Sequence, residues 1–354
     1  MPEIPEQQSS PDPDERIVLA HGGGGELTRR LLADHVVNKL ANDLLDPLTD
    51  SADLGPLDGR VCLTTDAFVV QPLEFPGGDI GRLAVCGTVN DLAVMGAVPK
   101  ALSLALIIEE GLPIATLDRI VESIAAAADE AGVVVATGDT KVVEHHGSGG
   151  MTVTTAGVGL LSPDGPAGAD GLAGEAAIRP GDAVLLSGRI AEHGLAVMSA
   201  RENLAFRTSL RSDVAPLTGL VQAVLASAAD VRFVRDPTRG GLAGLLADLA
   251  EQTRLCIEVE ESAVPVSAAA RHTAELLGLD PLTVANEGKI VAVVSADTAE
   301  EALAACRAHP LGADGAVVGR FGEPSDWPLV ELITRAGGRR IVQRPYGEDL
   351  PRIC

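Results

Sequence analysis

The chain has 354 residues, of which 46% are hydrophobic but only 2% aromatic, and its formal net charge is −23. That length predicts two domains instead of one core. The acidity and the shortage of stacking rings argue against nucleic acid as a partner, and the lack of any run of about twenty apolar residues argues against a membrane span.

Residues 1–16, "MPEIPEQQSSPDPDER", are acidic and proline-rich, and read as a disordered lead-in without the apolar stretch of a signal peptide. "HGGGGELTRRLL" (21–32) follows. Its glycines, Gly22, Gly23, Gly24 and Gly25, permit backbone N–H groups to approach an anion just before a helix start, or form a flexible hinge. Strands are predicted over 61–70, 132–143 and 151–161, where β-branched residues concentrate. Between them, 79–96 and 116–132 have helical spacing. In the second, Leu117, Ile120, Val121, Ile124 and Ala128 line one face, and Gly132 closes the helix. The Gly- and Pro-dense stretch 162–182 is the predicted boundary between halves. Beyond it come a strand at 183–190, helices near 192–204, 216–229 and 240–251, and a strand at 256–260. A helix at 267–277, a strand at 289–294, a helix at 297–308 and a last strand near 315–321 complete two α/β halves of similar size.

Acidic residues interrupt these apolar elements instead of clustering in charged runs. Asp66 ends the strand "LTTDAF", Asn90 and Asp91 sit within the helix "GTVNDLAVMG", and Asp139, Thr140 and Lys141 end the strand "ATGDTKVV". Carboxylates of this kind suit Mg²⁺, a hard cation that shares oxygen ligands with phosphates; solvated surface acids are the plainer reading. In the second half, "RDPTRGGLAGLLADLA" places Pro237 and Thr238 before a double glycine and an amphipathic helix, suited to a nucleotide phosphate or ribose. Glu287 precedes a buried strand in "VANEGKIVAVV". The five cysteines lack CxxC spacing, which implies a reducing cytoplasm. Cys62, Cys86, Cys256 and Cys306 lie among apolar neighbours and read as buried structural thiols, whereas Cys354 occupies the last position of a polar tail.

Taken together, "HGGGGELTRRLL", "TTDAFVVQPLEFPGGDIGRLAVCGTVNDLAVMGA", "EEGLP", "TGDTKVV", "RDPTRGGL", "ANEGK" and the final "PRIC" resemble the hydrogenase maturation proteins of the HypE family, from about residue 17 to residue 354. The wider group includes aminoimidazole ribonucleotide synthetase, selenophosphate synthetase and thiamine monophosphate kinase. The resemblance implies a two-domain PurM-like fold, α/β and α+β, whose first domain (17–163) contributes strands to a dimeric β-barrel. A linker (164–178), an α+β domain (179–338) and a flexible tail (339–354) would follow. It further implies ATP and Mg²⁺ as cofactors, a homodimer, and two partners, the carbamoyltransferase HypF and the HypC–HypD complex. Cys354 would receive a carbamoyl group, which ATP-dependent dehydration turns into an S-cyanate, the source of cyanide for a [NiFe]-hydrogenase iron. On that reading Asp66, Asp91, Asp139 and Asp236 hold Mg²⁺. Asn90, Thr140 and Thr238 join the glycines around the nucleotide, Glu287 is the base, and Lys141 steadies the developing oxyanion. The alternatives are a small-molecule kinase or synthetase of the same group, which needs no terminal thiol, and a non-catalytic assembly factor, which would not bind Mg·ATP.

Overall fold

A computed structural model describes residues 15–145, 147, 149–168, 171–202 and 209–345. The first half begins with α1 (Glu26–Leu32), a π-helical turn (Ala33–Val37) and α2 (Asn38–Leu40). It continues through β1 (Arg60–Phe68), the short ribbon β2 (Glu74–Phe75) and β3 (Gly78–Asp79), and α3 (Ile80–Val94). Then come β4 (Val98–Glu109), α4 (Ile114–Ala131), β5 (Val134–Val143) and β6 (Met151–Leu161). Four of these strands form one sheet in the order β1-β6-β4-β5, with β4 and β5 parallel and the other pairs antiparallel.

Only one face of that sheet is covered. Leu102, Leu104, Leu106 and Ile108 of β4 and Met151 and Val153 of β6 pack against the apolar stripes of α3 and α4. The face of α4 expected from spacing is buried throughout, and Gly132 takes the left-handed cap with φ 69°. Asp79 starts α3 by accepting the N–H groups of Gly81 and Arg82 at 2.7 and 3.0 Å, satisfying donors that a helix start leaves open.

The second half comprises β7 (Ala183–Leu186), α5 (Glu192–Arg201), α6 (Thr218–Leu225), β8 (Val231–Arg235), α7 (Gly241–Thr253) and β9 (Leu255–Glu260). They are followed by α8 (Ala268–Leu277), β10 (Val291–Val294), α9 (Ala299–Ala308), β11 (Ala316–Pro324), β12 (Val330–Ile333) and β13 (Arg339–Val342). Their strands make a seven-stranded sheet, β13-β12-β9-β11-β7-β10-β8, in which only β12 and β9 run parallel. The two halves share apolar contacts: Val214 and Ala285 join the core of the first, while Ala93 and Val94 of α3 enter the core of the second.

One expected boundary moves. The tail does not start at residue 339, because Arg339–Val342 pairs with β12 as an edge strand. Its arginines disguise it in the sequence, and they are accommodated by ion pairs from Arg339 to Glu258 and Glu331 and from Arg340 to Asp280.

Candidate active site

Period-two alternation turns Thr64, Asp66 and Phe68 of β1 toward α3, and α3 answers with Thr88 and Asp91, one turn apart. Thr88 donates to Asp66 Oδ2 at 2.9 Å and Thr64 donates to Asp91 Oδ2 at 2.9 Å, lacing strand to helix. Burial, and after it the charge of Asp91, pushes the Asp66 carboxyl above its usual value, against the opposing pull of the Thr88 hydroxyl and Arg239.

The second half brings two more acids to the same place. Asp236, on the loop after β8, is pushed up to about 7 by burial and then by Asp91 and Asp66. Glu287, buried just before β10, is raised well above the usual glutamate range by burial, Asp236, Asp213 and Asp91, with Arg239 opposing. The loops bearing them are pinned together by Asn286, whose Nδ2 donates to the Pro237 carbonyl at 2.9 Å and whose Oδ1 accepts from Ala191 N–H at 2.7 Å. Four carboxylates from two domains thus repel one another, with Arg239 opposing at Asp66 and Glu287 and Arg235 at Asp236. Such a set fits a hard cation. Among the described residues, no three His, Cys, Asp or Glu side chains are grouped closely enough to hold a metal ion by themselves.

Four expectations need correction. Asn90 does not face this cleft with a free amide: its Nδ2 donates to the carbonyls of Ala215 and Glu287 at 3.1 and 3.3 Å, and its Oδ1 accepts from Leu217 N–H at 2.7 Å. It bolts the domains together. Asp139 is not beside Asp66. It shares a row with Ala105, Thr154 and Ala67, the row next to that of Asp66 and therefore on the other face, three strands away; at about 4.8 Å per strand that is roughly 14 Å. Lys141 stays with it, exposed and 3.4 Å from Asp139 Oδ2, and does not meet Glu287. The glycine run is also not a row of open donors, because Gly23 N–H bonds to Ala20 O and Gly24 N–H to Thr28 Oγ1. Gly22 is glycine because a Cβ there would lie 2.9 Å from that of Val142 on β5. Gly25, with its carbonyl accepting from Arg29 N–H, simply caps α1.

Gly22, Gly24, Thr140 and Lys141 do line a common space, a cavity of about 290 Å³ floored by Leu104 and Leu106. Thr238 is half-buried on the loop between Asp236 and α7, its carbonyl accepting from Gly241 N–H at 2.9 Å. Cys354 lies outside the described residues. The chain leading to it leaves β13 along α7, where Arg344 pairs with Asp248 and Glu251. A Cβ on Gly240 would sit 3.8 Å from Pro345 Cδ, so the root of the tail stands beside the loop that carries Asp236. Of the other thiols, Cys86 and Cys306 are buried and pushed by burial up to about 12 and about 11. Cys62 and Cys256 are only half-buried.

Sequence comparison assigns residues 50–161 to the AIR synthase related protein N-terminal domain and 179–326 to the corresponding C-terminal domain. The chain is 49% identical to carbamoyl dehydratase HypE of Rhizobium leguminosarum bv. viciae over 340 residues, 96% of this chain and 95% of that protein. The chain belongs to the HypE family. A crystal structure of the hydrogenase maturation protein HypE in complex with ATP superposes with a TM-score of 0.88 at 40% identity, covering 95% of this chain and 99% of that one. HypE from a HypE–HypF complex superposes at 0.75 and 42% identity, covering 91% and 100%. The PurM-like architecture expected from the motifs is therefore the observed one.

Sequence reading missed Thr64, Thr88, Asp213, Arg239 and Asn286. Arg239 and Asn286 lie inside motifs already quoted, and Thr88 stands one helical turn before Asp91; nothing local marks Asp213.

Proposed function

We propose that this chain dehydrates an S-carboxamide carried on Cys354 to an S-cyanate, using ATP and Mg²⁺ in the cleft of Asp66, Asp91, Asp236 and Glu287. One observation carries the reading: the segment leading to Cys354 departs beside the loop of Asp236, at Pro345 against Gly240. Nine further residues, about 30 Å when extended, let the thiol reach either the cleft or solvent.

Water leaves an amide with difficulty because hydroxide is a poor leaving group. Attack of the carboxamide oxygen on the γ-phosphoryl group, with loss of one N–H proton, converts that oxygen into a phosphate ester and releases ADP; breaking the C–O bond and losing the second N–H proton then gives C≡N and phosphate. Such transfer depends on positioning and charge neutralisation. Bound Mg²⁺ would neutralise phosphate charge there. Asp66, Asp91 and Asp236 would hold the nucleotide's metal, with Thr64 and Thr88 fixing the first two carboxylates. Glu287, whose buried and acidic surroundings disfavour its charged form, is driven to take up the proton that a base must remove.

The homodimer is part of the proposal. Val61 and Leu63 of β1 and Ile107 of β4 are 52%, 73% and 39% exposed on the uncovered face of the four-stranded sheet, a patch that calls for a partner. A second copy closing this face into a barrel would bring its own Asp139 and Lys141 toward a neighbouring cleft, which they do not reach within one chain. HypF as carbamoyl donor, HypC–HypD as acceptor of the cyanide, and a cytoplasmic setting complete the scheme; no helix among the described residues is long and apolar enough to cross a membrane.

Mass spectrometry of Cys354 after incubation with HypF, carbamoyl phosphate and ATP tests it. The expected record is a gain of one carboxamide and then loss of one water, with neither in Cys354→Ala. Cyanide delivery by the Cys354→Ala protein would sink the proposal.

A further inference from the structure

Behind Glu287 lies a buried polar knot that the chemistry above does not use. Asp213, on the segment leading into α6, presents its carboxylate to the loop 286–289 from below. Its Oδ1 accepts the Glu287 N–H at 3.2 Å, and its Oδ2 stands 3.0 Å from Lys289 Nζ, both side chains being almost wholly buried. Lys289 Nζ also donates to the Gly288 carbonyl at 3.0 Å. The backbones are equally close: a Cβ on Gly288 would lie 1.7 Å from the Asp213 carbonyl oxygen, so only glycine lets the loop wrap this tightly. The preceding Ser212 is held in turn, its Oγ 2.8 Å from His193 Nδ1 and accepting from Val214 N–H at 3.1 Å. Burial alone would push Asp213 up, but Lys289, His193 and the Glu287 N–H outweigh it and hold the carboxyl below its usual value.

We propose that Asp213, neutralised by Lys289, is a positioning residue: it fixes the backbone of Glu287 and thereby aims that side chain into the cleft. A buried ion pair is a poor source of stability; here Asp213 Oδ2 meets Lys289 Nζ as an ion pair without a well-aligned hydrogen bond, while Oδ1 accepts the Glu287 N–H. Its use is registry at one residue, because the Glu287 amide itself is a donor to the pair. The inference rests on the reading of Glu287 as the base, and misplacing such a group by about 1 Å costs on the order of a hundredfold in rate.

The test compares two neutral pairs in the full chain carrying the carbamoylated thiol. Asp213→Asn/Lys289→Met removes both charges and keeps an oxygen acceptor; Asp213→Ala/Lys289→Met removes the acceptor as well. The first should dehydrate within a few-fold of the parent rate. The second should lose roughly a hundredfold in kcat with the KM for ATP unchanged, and amide hydrogen exchange should quicken across 284–290. Retained rate and retained exchange protection in the alanine pair would overturn the proposal, as would equal losses in both pairs. If the alanine pair does not fold, exchange across 284–290 in the asparagine pair decides, with protection supporting the inference and its loss overturning it. Glu287→Gln runs in parallel: full activity there would sink the base assignment, while the exchange result would still judge the positioning role.

Discussion

The two edge strands of the first sheet, β1 and β5, carry nearly the same message, a β-branched run entering an aspartate, and end in opposite environments. On β1, Asp66 points to the helix-covered face, meets Thr88 and Asp91, and is pushed above its normal pKa. On β5, Asp139 points to the uncovered face and is two-thirds exposed beside Lys141. Parity along the strand and the face that the helices cover decide which acid enters a cleft. A motif supplies a carboxylate; the sheet decides whose cleft it serves.

That contrast breaks cleanly in a mixed dimer. Asp66→Asn should cost two to three orders of magnitude in ATP-dependent dehydration, the scale for losing one preorganised charge-stabilising group, and Asp139→Asn should be comparably poor. If Asp139 serves the neighbouring copy, dimers formed by co-refolding the two variants contain one site with both native acids. Activity should then return to about a quarter of the parent value, since half the dimers are mixed and each has one intact site. A mixture as inactive as its components would place both acids in the same chain's site and end the cross-subunit reading.

Much of the cleft was legible because acids in apolar elements are conspicuous: Asp66, Asp91, Asp236 and Glu287 were singled out and do assemble. The helices α3 and α4 were legible from spacing. Strands were harder. The predicted elements lack β4, whose near-continuous apolar run reflects burial in mid-sheet and weakens the period-two signal. They also lack β8, β12 and β13, five residues or fewer each. What no local signal carries is the use of a side chain's hydrogen bonds. Asn90 looks like a ligand and is a bolt, because its partners Ala215, Leu217 and Glu287 lie more than a hundred residues away. Asn90→Ala takes a hydrogen-bond partner from each of those buried backbone groups, leaving Glu287 O with the Ala215 N–H alone, and should cost about 2–3 kcal/mol in chemical denaturation. An unchanged midpoint would show that this bridge does not hold the domains.

The smaller effect is electrostatic and concerns Asp236. In the nucleotide- and metal-free protein, Asp236 is held near pKa 7 by burial and by its acidic neighbours, against about 3.9 in an unfolded chain. Between those values the folded state binds the extra proton, so the slope of unfolding free energy with pH is negative. Stability is greatest below about pH 4 for this group and is lost as pH rises toward about 7, by at most about 1.4 kcal/mol per pH unit. Thermal melts should record that decline in the parent and a shallower one in Asp236→Asn. Mg·ATP should protect more at pH 8 than at pH 5, because a cation relieves repulsion only among ionised carboxylates. Equal protection at both pH values would mean that this acidic cluster is not where the metal binds.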